Sequence, residues 1–184
     1  MTGALFIPEL DFGHFSTLSD LAKKTGKLHR KGELTQEQLW NGSYYKKEIQ
    51  SFFFPDVTLK WIQDDIGFGL FANRPFKKGQ FITEYAGKVR KKKRDDAKNA
   101  YCFEYVIAPH IPTSYVIDAQ DQGGFGRLIN HSDKPNLRTA LATIDSINHV
   151  ILIAIEPIAI GDQLLYDYGI DYWNYRSKKP KSFI

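Results

Sequence analysis

Cysteine is nearly absent from this chain of 184 residues: Cys102 stands alone. A single thiol excludes an intramolecular disulfide and a cysteine-built zinc cluster. The five histidines show no ligand spacing, so no metal is expected. Long apolar runs are missing as well. The longest, Val150 to Ile155, suits a buried strand and falls far short of the ~20 residues that span a bilayer as a helix. No basic segment followed by an apolar stretch stands at the amino terminus, which predicts neither a secretory signal nor membrane association. Repeats and low-complexity tracts are lacking. Charge of one sign is only slightly in excess, with 25 Lys and Arg against 21 Asp and Glu. Basic residues gather at Lys88 to Lys98 and at Arg176 to Lys181. Such runs are ordinarily solvated faces; contact with nucleic acid is the competing reading.

What is present is typical of a folded chain. Apolar residues make up 42% and charged residues 25%, at a length that suits one domain with an appended segment. Residues 1–55 differ from the rest. Leu18, Leu21, Leu28, Leu34 and Leu39 lie among polar residues, with Ser16 or Ser19 as candidate caps. Thr35-Gln-Glu-Gln predicts a capped start for a short helix reaching Trp40. The reading is a helical amino-terminal extension over 1–55, a main domain over 56–173 and a basic tail over 174–184. Aromatics in residues 40–54 offer a surface for self-association.

Beyond Pro55 the pattern becomes strand-like. Short strands are predicted over 57–62, 69–72, 81–85, 101–107, 115–118 and 163–166, and a hairpin pairs 137–144 with 150–156 around Asp145 to Asn148. Lys91 to Asn99 predicts a short charged helix, and Gly123 to Gly126 a flexible loop. Many short strands with close turns imply a mainly β domain.

Three segments carry candidate chemistry. Gly67-Phe68-Gly69 follows a strand; two glycines near a turn ordinarily serve backbone geometry, but they also permit close approach to a ligand. Asn130-His131-Ser132 sits before the turn Lys134-Pro135-Asn136 and could simply cap it. Adjacent His131 and Ser132 are poorly arranged for a nucleophilic triad, and no nucleophile elbow is present. Tyr166-Asp-Tyr-Gly-Ile-Asp-Tyr-Trp173 is aromatic enough to build either core or a narrow slot for an aliphatic lysine stem.

Taken in order, these pieces resemble the SET-domain lysine methyltransferases over residues 57–173. The elements are Gly67-Phe68-Gly69, Glu84-Tyr85-Ala86-Gly87, Tyr101-Cys102-Phe103, Tyr115-Val-Ile-Asp-Ala119, the unbroken Arg127 to Asn136 and Gly161 to Gly169. The resemblance implies a β-rich SET fold of small curved sheets whose carboxy-terminal segment passes through a preceding loop as a pseudoknot. That passage would bring Asn130 and His131 beside Tyr168. It also implies S-adenosylmethionine as cofactor, bound by Gly67, Phe68, Gly69, Asn130 and His131, with Trp173 near the adenine and Tyr101 on the cofactor wall. Tyr168 would steer the substrate amine, Tyr85 would line the same channel, and Tyr166 matches the position that limits product methylation, which predicts mainly mono- or dimethylation.

The implied substrate is a lysine in a histone tail or other basic protein, with Glu104, Asp118, Asp121 and Asp133 as a candidate acidic rim. A noncatalytic SET-like module that binds chromatin or another protein is the alternative, and methylation of its own lysines near Lys91 to Lys93 is a third reading. A eukaryotic source would imply a nuclear or cytoplasmic protein; a bacterial one, an effector that acts in a host nucleus. The chain departs from many family members in lacking a cysteine-rich segment after Gly169, so its tail must close the site differently.

Overall fold

The computed structural model describes residues 3–174. The basic run at 176–181, and all but the first residue of the expected tail, lie outside the described residues. The extension contains β1 (Leu5–Phe6), α1 (Phe15–Arg30), α2 (Gln36–Tyr44) and α3 (Lys46–Gln50). The helix α1 starts earlier than Ser16 or Ser19 would set it. His14 stands at its cap position in extended backbone and makes no side-chain cap bond. Burial of Leu21 against the main core, rather than a local cap, holds this helix.

The start of α2 follows the sequence signal. The Gln38 N–H donates to Thr35 Oγ1 at 3.1 Å, and the Thr35 N–H donates to Gln38 Oε1 at 3.0 Å. One face of α2 meets the β domain directly. Gln38 Nε2 donates to the Ile107 carbonyl and to Thr143 Oγ1, both at 2.9 Å, and Asn41 Nδ2 donates to the Leu141 carbonyl at 2.8 Å. Gly42 permits this approach, since a Cβ there would fall 2.0 Å from the Thr143 carbonyl oxygen.

The remaining elements are β2 (Val57–Gln63), β3 (Gly67–Ala72), β4 (Phe81–Glu84), β5 (Gly87–Lys91), β6 (Cys102–Ala108), β7 (Ile111–Gly123), β8 (Asn130–His131), β9 (Leu137–Ile144), β10 (Ile147–Ala154), β11 (Leu165–Tyr166) and α4 (Ile170–Asn174). The fold is mainly β, as the sequence implied. β2 and β3 form a two-stranded ribbon. β7 pairs with β1 in parallel and with β5 and β6 antiparallel. The third sheet runs β4-β10-β9-β11-β8. Its hairpin turns on Asp145 and Ser146, both with positive φ (49° and 66°), as a tight two-residue turn requires.

Several expectations are corrected. Gly87 begins a strand instead of ending one, because β5 finds a partner in β7. The expected 91–99 helix shrinks to a 3-10 turn, Arg94–Lys98. The Arg90 guanidinium anchors it: Nη2 lies 2.6 Å from Asp96 Oδ1, and Nε donates to Asp118 Oδ2 at 2.8 Å. β7 is far longer than the predicted 115–118, since neighbours on both sides satisfy its backbone. Gly123 to Gly126 is no flexible loop. Phe125–Leu128 forms a 3-10 turn, and a Cβ on Gly126 would lie 3.0 Å from Tyr85 Cα. The main core joins all three sheets through Leu70, Ile82, Ile117, Ile129, Leu137 and Leu152.

Candidate active site

The last strand is inserted between two that precede it. β11 runs parallel to β8, with Leu165 opposite Asn130 and Tyr166 opposite His131, and its other edge meets Leu137 of β9. This insertion carries the aromatic segment to the Asn130-His131 pair. The Ser132 N–H donates to the Tyr166 carbonyl at 3.2 Å. The Tyr168 hydroxyl donates to the Ile129 carbonyl at 2.8 Å, while its backbone N–H donates to His131 Nδ1 at 3.1 Å. Tyr168 is therefore fixed at both ends, by Ile129 at its hydroxyl and by His131 at its backbone. Because Nδ1 accepts a bond, the neutral ring carries its proton on Nε2. That buried atom lies 3.3 Å from Asp133 Oδ1, without hydrogen-bond geometry.

The G-x-G segment joins the same place from the β2–β3 ribbon. Gly67 has φ +81°, which a side chain would oppose. Asn130 Nδ2 donates to the Phe68 carbonyl at 3.1 Å. A Cβ on Gly69 would fall 2.6 Å from Gln163 Nε2 and 2.9 Å from Asn130 Nδ2. Gly69 thus leaves the space these amides occupy.

Around Tyr168 stands an aromatic wall. Its ring centroid is 4.7 Å from that of Tyr166 and 4.6 Å from Tyr172, and it stacks on Trp173 at 6.3 Å. Trp173 also meets the His131 ring edge-on at 4.9 Å. Tyr85 donates its hydroxyl to the Tyr101 carbonyl at 3.0 Å and packs against Phe103 at 5.1 Å. The Arg127 guanidinium covers the Tyr101 ring at 4.3 Å. Burial pushes the phenols of Tyr85, Tyr166 and Tyr168 well above their ordinary range, and the neighbouring phenols add to the effect. All three are neutral donors at physiological pH.

The residues that the resemblance assigned to the cofactor and the lysine channel lie in this neighbourhood: Gly67, Phe68, Gly69, Tyr85, Tyr101, Asn130, His131, Tyr166, Tyr168 and Trp173. Two others, both inside the quoted motifs, were assigned no role. Gln163 sits at an unspecified position of the last motif, yet its Nε2 is buried beside Gly69 without a hydrogen-bond partner among the described residues. Phe103 backs Tyr85, and only its place two residues after Tyr101 hinted at that. The expected acidic rim is partly spent on internal pairs, since Glu104 meets Lys92 and Asp118 holds Arg90 and Asn99.

The fold and this constellation coincide with a known family. The SET domain model matches residues 67–169, more than half of the chain. The chain belongs to the SET domain family. It is 41% identical over 112 residues to N-lysine methyltransferase KMT5A-A of Xenopus laevis, covering 56% of this chain and 33% of that protein. Over 112 residues it is 40% identical to histone-lysine N-methyltransferase Set8 of Drosophila melanogaster, covering 56% and 16%. The chain thus spans about a third or less of the length of these relatives. Among solved structures it resembles an active polycomb repressive complex 2 in the basal state, with TM-score 0.58 and 26% identity, over 66% of this chain and 16% of that one.

Proposed function

We propose that this chain is an S-adenosylmethionine-dependent protein lysine N-methyltransferase that adds one or two methyl groups to a lysine of a histone or another basic protein. The observation that carries the reading is the clamp on Tyr168 by Ile129 and His131 at the end of a buried tyrosine wall. The names of the relatives, N-lysine and histone-lysine methyltransferases, support it. By the same names the proposed setting is nuclear chromatin.

The donor set fits the cofactor. His131 Nε2, Gln163 Nε2, Trp173 Nε1 and Arg127 Nε are buried without hydrogen-bond partners among the described residues. Such atoms are costly unless something satisfies them. An amino-acid and nucleoside ligand offers carboxylate, hydroxyl and ring acceptors for them. In this reading Gly67, Phe68, Gly69, Asn130, His131, Tyr101 and Trp173 hold the cofactor, and Gln163 joins them. When bound, the cofactor supplies a methyl group on a positive sulfur.

The chain's own residues supply alignment. A lysine stem fits between aromatic faces, and Tyr85, Tyr166 and Tyr168 line that passage. Orientation of a bound nucleophile is worth up to about 7–11 kcal/mol in favourable cases. The amine attacks only when it has lost its proton, and a dry aromatic passage beside positive charge disfavours the ammonium. The raised phenols stay protonated at neutral pH and so cannot take that proton; it leaves to solvent before the amine is enclosed.

Purified chain with labelled S-adenosylmethionine and a histone peptide array tests the proposal. Label on lysine-bearing peptides, reduced about 100-fold or more by Tyr168→Phe, is the expected result. Cofactor binding without transfer to any protein would instead favour the binding-module alternative.

A further inference from the structure

The helix α1 lays one face on the β domain. Leu21 and Thr25 are buried there, and a Cβ on Gly26 would stand 3.3 Å from Ser146 Oγ in the hairpin turn. The opposite face is polar and basic. Lys23, Lys27 and Arg30 are exposed. Their spacing, i, i+4 and i+7, brings the three heads out in a single stripe. None of the three forms an ion pair among the described residues. Asp20 is the one carboxylate of the helix. Lys24 pairs with it at 2.9 Å, and Lys24 and, more weakly, Lys91 of β5 hold its carboxyl below the ordinary range. Asp145, in the adjacent turn, lies 3.9 Å from Lys46.

Elsewhere the chain neutralises its cations. Within the Lys88–Lys98 run, Arg90 is spent on Asp96 and Asp118, Lys92 on Glu104 and Lys98 on Asp95. On α1 the reverse holds. Lys23 and Lys27 are like charges one turn apart, which weakens a helix. The helix dipole favours cations in the last turn. It accounts for Lys27 and Arg30, but Lys23 lies a turn further in. Folding gains little from such a stripe, whereas a polyanion laid along it would relieve the repulsion.

Two features favour a nucleic-acid duplex over an acidic protein. The stripe sets no large apolar side chain between its cations, while the centre of a protein interface is apolar and poor in charge. Its length also fits. Lys23 to Arg30 covers about 10 Å of helix axis, and each strand of a DNA duplex presents about three phosphates over that distance. We propose that the Lys23–Lys27–Arg30 face of α1 is a docking surface for the phosphate backbone of double-stranded DNA, with Lys24 and Lys91 at its border. The contact reads charge and not sequence, since phosphate carries no base information. It needs neither cofactor nor methyl transfer, and so stands apart from the reading of the tyrosine wall. Joined to that reading, it would hold the chain beside a basic protein bound to the same DNA.

Fluorescence anisotropy of an end-labelled DNA duplex, titrated with the cofactor-free chain, tests this. Affinity should be independent of sequence and fall by about 40-fold or more between roughly 50 and 200 mM salt, the response of three neutralised phosphates. Lys23→Gln, Lys27→Gln and Arg30→Gln together should weaken binding by about ten-fold or more at low salt and flatten the salt response. The thermal midpoint should stay at or above that of the parent. Lys77→Gln with Lys78→Gln is the control. Both lysines are exposed beside Gly79, whose N–H donates to the Ala154 carbonyl at the end of β10 remote from Ser146. That pair should change affinity by less than about two-fold. Equal binding of polyglutamate or of phosphatidylserine vesicles would overturn the proposal. So would unchanged affinity in the triple variant, loss only on substitution of Arg176, Lys178, Lys179 and Lys181, or no binding at about 100 μM chain in low salt.

Discussion

The backbone N–H of Tyr168 donates to His131 Nδ1 at 3.1 Å, across 37 positions of sequence. One bond thus selects the ring tautomer of the first segment and fixes the direction in which the second leaves β11. His131 is buried, so nothing else replaces this acceptor cheaply.

Replacing His131 with alanine should leave the Tyr168 N–H without a partner. We expect a loss of about 1–3 kcal/mol in stability, the ordinary cost of an orphaned buried donor, together with weaker cofactor binding. Denaturant unfolding and equilibrium titration with S-adenosylmethionine measure the two effects. Loss of stability with unchanged cofactor affinity would remove His131 from the proposed cofactor site.

Alkaline pH should destabilise the fold steeply. Tyr85, Tyr166 and Tyr168 have folded pKa values raised above the unfolded value of about 10. Below that value both states are protonated and ionisation contributes nothing. Above it the unfolded chain releases protons that the folded chain retains, so stability falls with rising pH until the folded values are passed. Each phenol adds about 1.4 kcal/mol per pH unit to that fall. Ultraviolet titration should show these phenols ionising together with unfolding. Independent ionisation near pH 10 in the folded chain would contradict their burial.

Tyr166→Phe should shift products toward higher methylation. The ring would stay in place, 4.7 Å from Tyr168, while the hydroxyl that narrows the passage is removed. Mass spectrometry of a peptide time course reads the distribution. An unchanged or lower methyl count would sink the product-limiting role.

Gly42→Ala should damage the whole fold and not the extension alone. The added Cβ meets rigid backbone, 2.0 Å from the Thr143 carbonyl oxygen. Overpacking of this kind costs roughly 1–3 kcal/mol or more, whereas Thr35→Ala at the start of the same helix should lose only its cap, about 1 kcal/mol. A thermal midpoint equal to that of the parent would show that α2 can lift from β9 freely.

Much was legible in the sequence because the signals concerned are local. The Thr35–Gln38 cap and the hairpin expected around Asp145 to Asn148 act within a few residues, and local sterics and hydrogen bonding decide them, although the turn itself tightens to Asp145 and Ser146. The residue types of the site were readable for the same reason: Gly67, Asn130, His131 and Tyr168 stand in a fixed order within short segments. Tertiary structure alone decided what pairs with what. β7 outgrew its apolar core because β1, β5 and β6 satisfy its edges, and Gly87 became a strand residue for want of any local rule against it. The opening of α1 at Phe15 and the rigid packing of Gly126 on Tyr85 depend on neighbours distant in sequence. Above all, the insertion of β11 between β8 and β9 converts two separate motifs into one site. Periodicity cannot encode that insertion, since the backbone groups of a two-residue strand are satisfied only by the strands it happens to lie between.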